Sequence, residues 1–210
     1  MYYYREIQQG DTMGKIFYLM GKSSSGKDTI YQRLLEEKEL QLKKAVLYTT
    51  RPIRAGEVQG VTYYFTSEDE LVKLQKENKV IEVRGYNTMK GMWYYFTVDD
   101  GQFGEEQGNI LMIGTLESYE KMKEHFGERV VPLFVTLEDG ERLIRAIKRE
   151  QQQKEPLYTE VCRRFLADEK DFSKEALERS GIQRFFENND LELCLEEMKD
   201  FIKTWENTDK

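Results

Sequence analysis

The sequence predicts an α/β fold: a parallel sheet with flanking helices, interrupted once by a small α+β insertion and once by a pair of long charged helices. Three observations carry this. Short apolar runs alternate with stretches whose apolar residues recur every three or four positions. The first apolar run ends in a glycine-rich turn that opens a helix, and residues 51–98 break the alternation with several β-branched and aromatic runs in succession.

Residues 15–20 form a short apolar run closed by Gly21, as expected of a buried parallel strand. Ile30, Leu34 and Leu35 then recur at helical spacing within 28–40, and 45–48 return to a strand pattern. A loop rich in Arg, Pro and Gly fills 49–60, and the β-branched and aromatic residues of 61–66 predict an extended segment. Ser67 and Glu70 form a capping box for a helix through Leu71 and Leu74 to about 77. Strands follow at 80–84 and 93–98 around a turn at 87–91, and again at 110–113 and 130–136 around a helix at 118–126. Two helices over 137–153 and 159–179, joined near Pro156, read as a partly exposed hairpin. A strand at 182–186, a turn at Asn188-Asn189 and a helix carrying Leu191, Leu195, Met198 and Ile202 close the pattern. Because the apolar pattern starts only at Lys15, residues 1–13 read as a flexible extension.

A chain of 210 residues suits one domain. A net charge of −7 argues against binding a nucleic-acid polymer, which needs a basic surface to displace counterions. Cys162 and Cys194 both fall in helical segments, so they form neither a disulfide framework nor a metal pair and are expected as buried thiols. His125, the single histidine, sits on an amphipathic helix and reads as a surface residue, which removes support for a metal hydrolase. No run reaches membrane-spanning length, so a cytoplasmic protein without membrane partners is expected.

Gly21-Lys22-Ser23-Ser24-Ser25-Gly26-Lys27 fits G-x-x-x-x-G-K, placed between a strand and a helix start as the mechanism of a phosphate-binding loop requires. The glycines let backbone N–H groups of the loop turn inward toward phosphate oxygens, Ser23, Ser24 and Ser25 add hydroxyls, and Lys27 can neutralise charge during transfer. Asp28 stands where the motif normally has a Ser or Thr for Mg²⁺, with Thr29 next. Asp28 has two readings: a hard ligand for Mg²⁺, or a helix-terminal acid stabilised by the dipole.

The richest segment after this loop runs from Thr49-Thr50-Arg51-Pro52-Ile53-Arg54 through Gly56-Glu57 and Gly60 to Tyr63-Tyr64-Phe65. Arg51 and Arg54 are two guanidinium forks able to clamp a monophosphate, or to pair with Glu57, and Tyr63 offers a phenolic donor. The segment resembles the acceptor motif of guanylate kinases, T-T-R-x-x-R-x-G-E-x-x-G-x-x-Y-x-F, and the resemblance extends over roughly 14–205.

The resemblance implies a P-loop NTPase-type fold: a core of 14–50, 99–136 and 181–205, an acceptor-binding unit at 51–98 and a helical lid at 137–180. It implies that Arg51, Arg54 and Tyr63 hold the acceptor phosphate and that Glu82 accepts from the guanine edge. Tyr94 stands in Trp93-Tyr94-Tyr95-Phe96-Thr97, where the family has Y-G-[ST], and is the remaining acceptor-side candidate. Arg145, Arg149 and Arg164, with Asp171, match the lid, whose arginines would stabilise the transferring phosphoryl. Asn188 falls where the family contacts the donor adenine.

The chain departs from the family at Met112 and Gly114, where two aspartates of I-L-D-I-D would stand, and at Leu47, which replaces a small hydroxyl residue facing the base. The expected activity is Mg²⁺-assisted phosphoryl transfer from ATP to a nucleoside monophosphate, GMP first, by a monomer or homodimer. The alternatives are a kinase of another small phosphorylated acceptor, such as a ribose bisphosphate, and a non-catalytic protein-binding module.

Overall fold

The computed structural model describes residues 14–88 and 91–207; the extension expected at 1–13 and two positions of the turn expected at 87–91 lie outside the described residues. Its elements are β1 (Ile16–Gly21), α1 (Lys27–Glu36), β2 (Lys43–Lys44), β3 (Tyr48–Thr49), β4 (Tyr64–Phe65), α2 (Glu68–Lys76), β5 (Val80–Thr88) and β6 (Gly91–Val98). They are followed by β7 (Ile110–Ile113), α3 (Leu116–Phe126), β8 (Val130–Thr136), α4 (Asp139–Gln151), α5 (Tyr158–Asp171), α6 (Lys174–Arg179), β9 (Phe185–Glu187) and α7 (Leu191–Asn207).

Five strands form a parallel sheet in the order β2-β7-β1-β8-β9. The near-continuous apolar character of β1 follows from burial on both faces. Ile16, Tyr18 and Met20 pack with Leu116, Tyr119 and Met122 of α3 and with Ala176 and Leu177 of α6. Phe17 and Leu19 pack on the opposite face with Ile30 and Leu34 of α1 and Cys194, Leu195, Met198 and Ile202 of α7. The sheet is thus helix-covered on both sides, and the turn after β1 opens at the carboxyl edge, where ligands of such sheets bind.

A second sheet, in the order β4-β3-β6-β5, is mostly antiparallel and has a core of its own: Leu71, Phe96 and Val98, with Tyr48, Leu74, Val80 and Tyr94 packed against them. The strand expected at 45–48 is therefore two strands in two sheets. Lys43 and Lys44 pair with β7, whereas Tyr48 and Thr49 pair with β6; between them Gln102 Oε1 accepts from the Val46 N–H at 2.9 Å, holding the chain as it crosses.

Other boundaries shift for local reasons. Only Tyr64–Phe65 of the extended segment expected at 61–66 pairs as strand, because the N–H groups of Val61 and Thr62 turn back onto Val58 O. The hairpin of β5 and β6 runs further into its turn than 84 and 93. The helix expected at 159–179 breaks where Phe172 buries against Phe134 and the Ser173 side chain caps α6 by accepting from Ala176 N–H. The last strand covers three residues rather than five. Cys162, expected buried, is exposed; Cys194 is buried, and burial pushes its thiol up to about 11. His125 lies at the surface beside Asp99, as expected.

Candidate active site

The loop between β1 and α1 is shaped by left-handed backbone at Ser24 (φ 63°) and Gly26 (φ 91°). A Cβ at Gly26 would sit 2.1 Å from Asn188 Nδ2, so glycine is required there by space as well as by conformation. Asn188 is buried after β9, takes its own N–H to Thr136 O at 2.8 Å, and donates Nδ2–H to Ser25 O at 2.7 Å. Its amide therefore holds the loop from behind, a task the expected adenine contact does not describe. Arg145 reaches the same point, with Nη2 3.4 Å from Asn188 O.

The N–H groups of Gly26, Lys27, Asp28 and Thr29 have no protein acceptor among the described residues, as at any helix start. Ser24 Oγ and Ser25 Oγ are also buried without a partner. Buried polar atoms ordinarily find partners, and this concentration of free donors around one concavity suits an anion. Lys27 is mostly buried, with Nζ 4.0 Å from Asp28 Oδ2. The Asp28 side chain is 83% exposed, open to a hydrated cation; Thr29 is exposed beside it.

On the other side of the loop, Asp168 Oδ2 of α5 accepts from the Ser23 N–H at 2.7 Å, and Lys22 Nζ pairs with Glu169 at 2.7 Å. Arg142, 2% exposed, ties this region together: it donates to Ser23 O and pairs with Asp139, Asp168 and Glu169. Sequence reasoning missed both Arg142 and Asp168. The spacing of three and four from Arg142 through Arg145 to Arg149 puts the three arginines on one helix face and was the available signal.

Arg149 and Arg164, both exposed, line a cavity of about 590 Å³ between α4 and α5 that also reaches Ser23 and Ser24. Arg164 Nε is held by Glu160 Oε1 at 2.7 Å, and Arg163 shares that carboxylate, which the two guanidinium groups hold down at about 2. Of the three lid candidates the structure brings only Arg145 to the loop; Arg164 is engaged in an ion pair, and Asp171 is exposed at the end of α5.

The second sheet supplies the opposite pole. Arg51 is 4% exposed and its guanidinium is largely taken: Nη1 donates to Glu57 Oε2 at 2.7 Å and to Pro52 O at 3.0 Å, Nη2 donates to Glu57 Oε1, and Nε donates to Tyr95 Oη at 3.0 Å. The Arg51 guanidinium beside it holds Glu57 down at about 2. Arg51 is thus not an open fork but the centre of a cluster with Tyr63 and Phe65, whose rings it faces at 5.2 and 5.3 Å. Arg54 is exposed over Trp93, and its guanidinium has no hydrogen bond or ion pair among the described residues.

Strand alternation decides between the tyrosines of β6. Tyr95 and Thr97 face Arg51 and Glu82, and the Tyr95 ring packs edge-on to Tyr63 and Tyr86. Tyr94 points the other way, onto the small core, so Tyr95 and not Tyr94 belongs to the cluster. Glu82 is buried rather than solvated, bonded by Thr97 Oγ1 at 2.7 Å and by Arg84 Nε at 2.9 Å.

A cleft of about 760 Å³ lies between the loop and β5 of the second sheet, with Gly21, Ser23 and Lys27 on one wall, Arg84 and Tyr86 on the other, and α3 and the end of α5 at its sides; Arg51, Arg54 and Tyr63 do not line it. At its floor a Cβ on Gly114 would meet Tyr18 Oη at 2.2 Å, so a side chain at the position where the resemblance has an aspartate would have to displace the Tyr18 hydroxyl. Met112 is buried, and Leu47 lines a separate small cavity of about 190 Å³ with Tyr63, Met112 and Asp28.

Comparison with known proteins bears on this arrangement. The family model described as guanylate kinase matches residues 13–205. A guanylate kinase of Mycoplasma mobile is 31% identical over 200 residues, covering 90% of this chain and 92% of that one. One from Caldanaerobacter subterraneus subsp. tengcongensis is 32% identical over 153 residues, covering 72% and 70%. The crystal structure of a guanylate kinase from Anaplasma phagocytophilum superposes with a TM-score of 0.62 at 20% identity, covering 91% of this chain and 86% of that one, and supports the fold.

Proposed function

Because the chain belongs to the guanylate kinase family, we propose that it transfers the γ-phosphoryl group of ATP to a nucleoside monophosphate, with GMP the leading acceptor. The observation that carries this reading is the cleft itself, which sets Lys27 and the free N–H groups of the β1–α1 loop across from a cationic and aromatic wall on the second sheet. Phosphoryl transfer needs little covalent help from protein; it needs two phosphates held in line and their charge offset.

In this reading, the N–H groups of 26–29 hold the β- and γ-phosphates of ATP, Ser24 and Ser25 supply hydroxyls, and Lys27 offsets charge at the transferring group. Asn188 and Gly26 keep the loop in register, and Arg145 adds a cation beside it. Arg149 and Arg164 reach the phosphates only after α4 and α5 rearrange and Glu160 releases Arg164. On the acceptor side Arg54 and the Tyr63 hydroxyl receive the monophosphate, with Arg51 and Tyr95 fixing their surroundings. Residues 51–98 thus serve as an acceptor unit and 137–180 as a lid.

The donor set fits Mg²⁺: one exposed carboxylate beside a phosphate cradle suits an ion that keeps most of its waters and binds chiefly through phosphates. Asp28 would hold it, and when bound it supplies charge neutralisation at the phosphate oxygens.

A coupled assay of ADP release with GMP, dGMP, AMP, CMP and UMP tests the reading. Turnover with at least one is expected, and silence with all five would refute it.

A further inference from the structure

Resting on that reading, we infer that Arg84 determines which base the acceptor carries, donating through its outer guanidinium edge to a six-keto purine and leaving the 2-amino group unread. Arg84 lies on β5 two residues from Glu82 and on the same face, opposite Tyr95 of β6, with Glu82 opposite Thr97. Its Nε donates to Glu82 Oε2 at 2.9 Å and Nη2 to Oε1 at 3.3 Å. The Nη1 protons and one on Nη2 have no partner among the described residues, although the side chain is only 14% exposed and lines the cleft that Lys27 lines from the other wall. Burial works against the charge of Arg84, and Glu82 together with Tyr18 and Tyr86 more than restores it, so the guanidinium titrates above its ordinary value and stays a cation.

The carboxylate of Glu82 is thereby covered: its side chain is 3% exposed and bonded on both oxygens, so the wall presents paired donors where a carboxylate would have presented acceptors. Two neighbouring N–H donors of an arginine match the O6 and N7 acceptors of guanine. Adenine puts an amino donor at the six position, and uracil has no second acceptor beside its O4 keto group, its N3 being a donor. A second phosphate would also suit a guanidinium fork, but the charge of Arg84 is already balanced by Glu82, and the cleft's other cations, Lys27, Lys170 and Arg179, are offset by Glu117, Glu120, Asp168 and Asp171. The pole therefore favours a neutral base edge over another anion. With Gly114 lacking a side chain and Met112 apolar, neither position offers a carboxylate to the 2-amino group. Hypoxanthine and guanine should then look alike to this wall.

The test uses the full chain with Mg-ATP and GMP, IMP, AMP, UMP or ribose 1,5-bisphosphate, in wild type, Arg84→Met and Arg84→Lys. Arg84→Lys keeps a charge beside Glu82 and removes only the fork, which covers the case where Arg84→Met fails to fold. Expected are kcat/KM values for GMP and IMP within about threefold of each other, a wild-type preference over AMP, and a loss of about 10-fold to 100-fold for GMP and IMP in both variants. AMP turnover should fall by less than GMP turnover, so that the GMP:AMP ratio drops, and calorimetric Mg-ATP binding should hold steady. A GMP:AMP ratio unchanged in Arg84→Lys or a strong preference for GMP over IMP overturns the inference while the kinase reading survives; turnover of the bisphosphate alone overturns both the inference and the nucleoside monophosphate reading. No ADP from any acceptor overturns both.

Discussion

Asp168 Oδ2 lies 2.7 Å from the Ser23 backbone nitrogen, so a carboxylate of α5 occupies a donor of the very loop that is suited to phosphate. A triphosphate approaching that loop meets a like charge already bonded there. Replacing Asp168 by Ala leaves Arg142 with Asp139 and Glu169 and frees the N–H. Mg-ATP should bind Asp168→Ala roughly threefold to tenfold more tightly, the scale of one charge-assisted hydrogen bond shared with solvent competition. Isothermal calorimetry measures it; weaker binding would assign Asp168 to structural support.

Asp28 gives a metal prediction. If its exposed carboxylate serves Mg²⁺, Asp28→Ala should raise the Mg²⁺ concentration for half-maximal turnover by about tenfold while leaving thermal unfolding nearly unchanged. Chelation by EDTA should abolish turnover in both proteins. An unaltered Mg²⁺ titration leaves Asp28 as an acid on the helix dipole.

The Arg51–Glu57 pair fixes a pH dependence. Arg51 holds the Glu57 carboxyl at about 2, below its ordinary value of 4.5, so its contribution to stability is complete above that ordinary value and fades as pH falls toward 2. Glu160 behaves in the same sense, so total acid sensitivity does not isolate Glu57. The difference in urea midpoint between wild type and Glu57→Gln does: it should be large near about pH 6 and shrink toward about pH 3. A constant difference would mean that the pair matters only for packing.

Strand alternation yields a paired test. Tyr95→Phe removes a hydroxyl that accepts from Arg51 Nε, and should raise KM for the acceptor several-fold without touching Mg-ATP binding. Tyr94→Phe, on the opposite face, should leave acceptor kinetics as they are. The reverse result would place the acceptor on the other side of β6.

The large sheet was legible because its strands are buried on both faces and write continuous apolar runs, and the loop after β1 because its spacing is a mechanism in itself. Two-residue strands such as β2 and β3 carry too little pattern to show that the chain changes sheets between them. Arg51 and Arg54 look equivalent in sequence, yet only packing reveals that Glu57 claims one and leaves the other exposed. Arg84 and Asp168 were missed for a related reason: Asp168 gains its meaning from Ser23 and Arg142, and Arg84 from the cleft it shares with Lys27, all far away in the chain, while a charged side chain on a polar strand or helix ordinarily reads as solvated.

The crossing between Lys44 and Tyr48 has a consequence for how such a protein can change over time. The residues proposed to grip the donor are rooted in the two clusters of the large sheet and those proposed to choose the acceptor in the small core, so on that reading drift in the smaller core alters what is phosphorylated while the means of phosphorylating it are inherited intact.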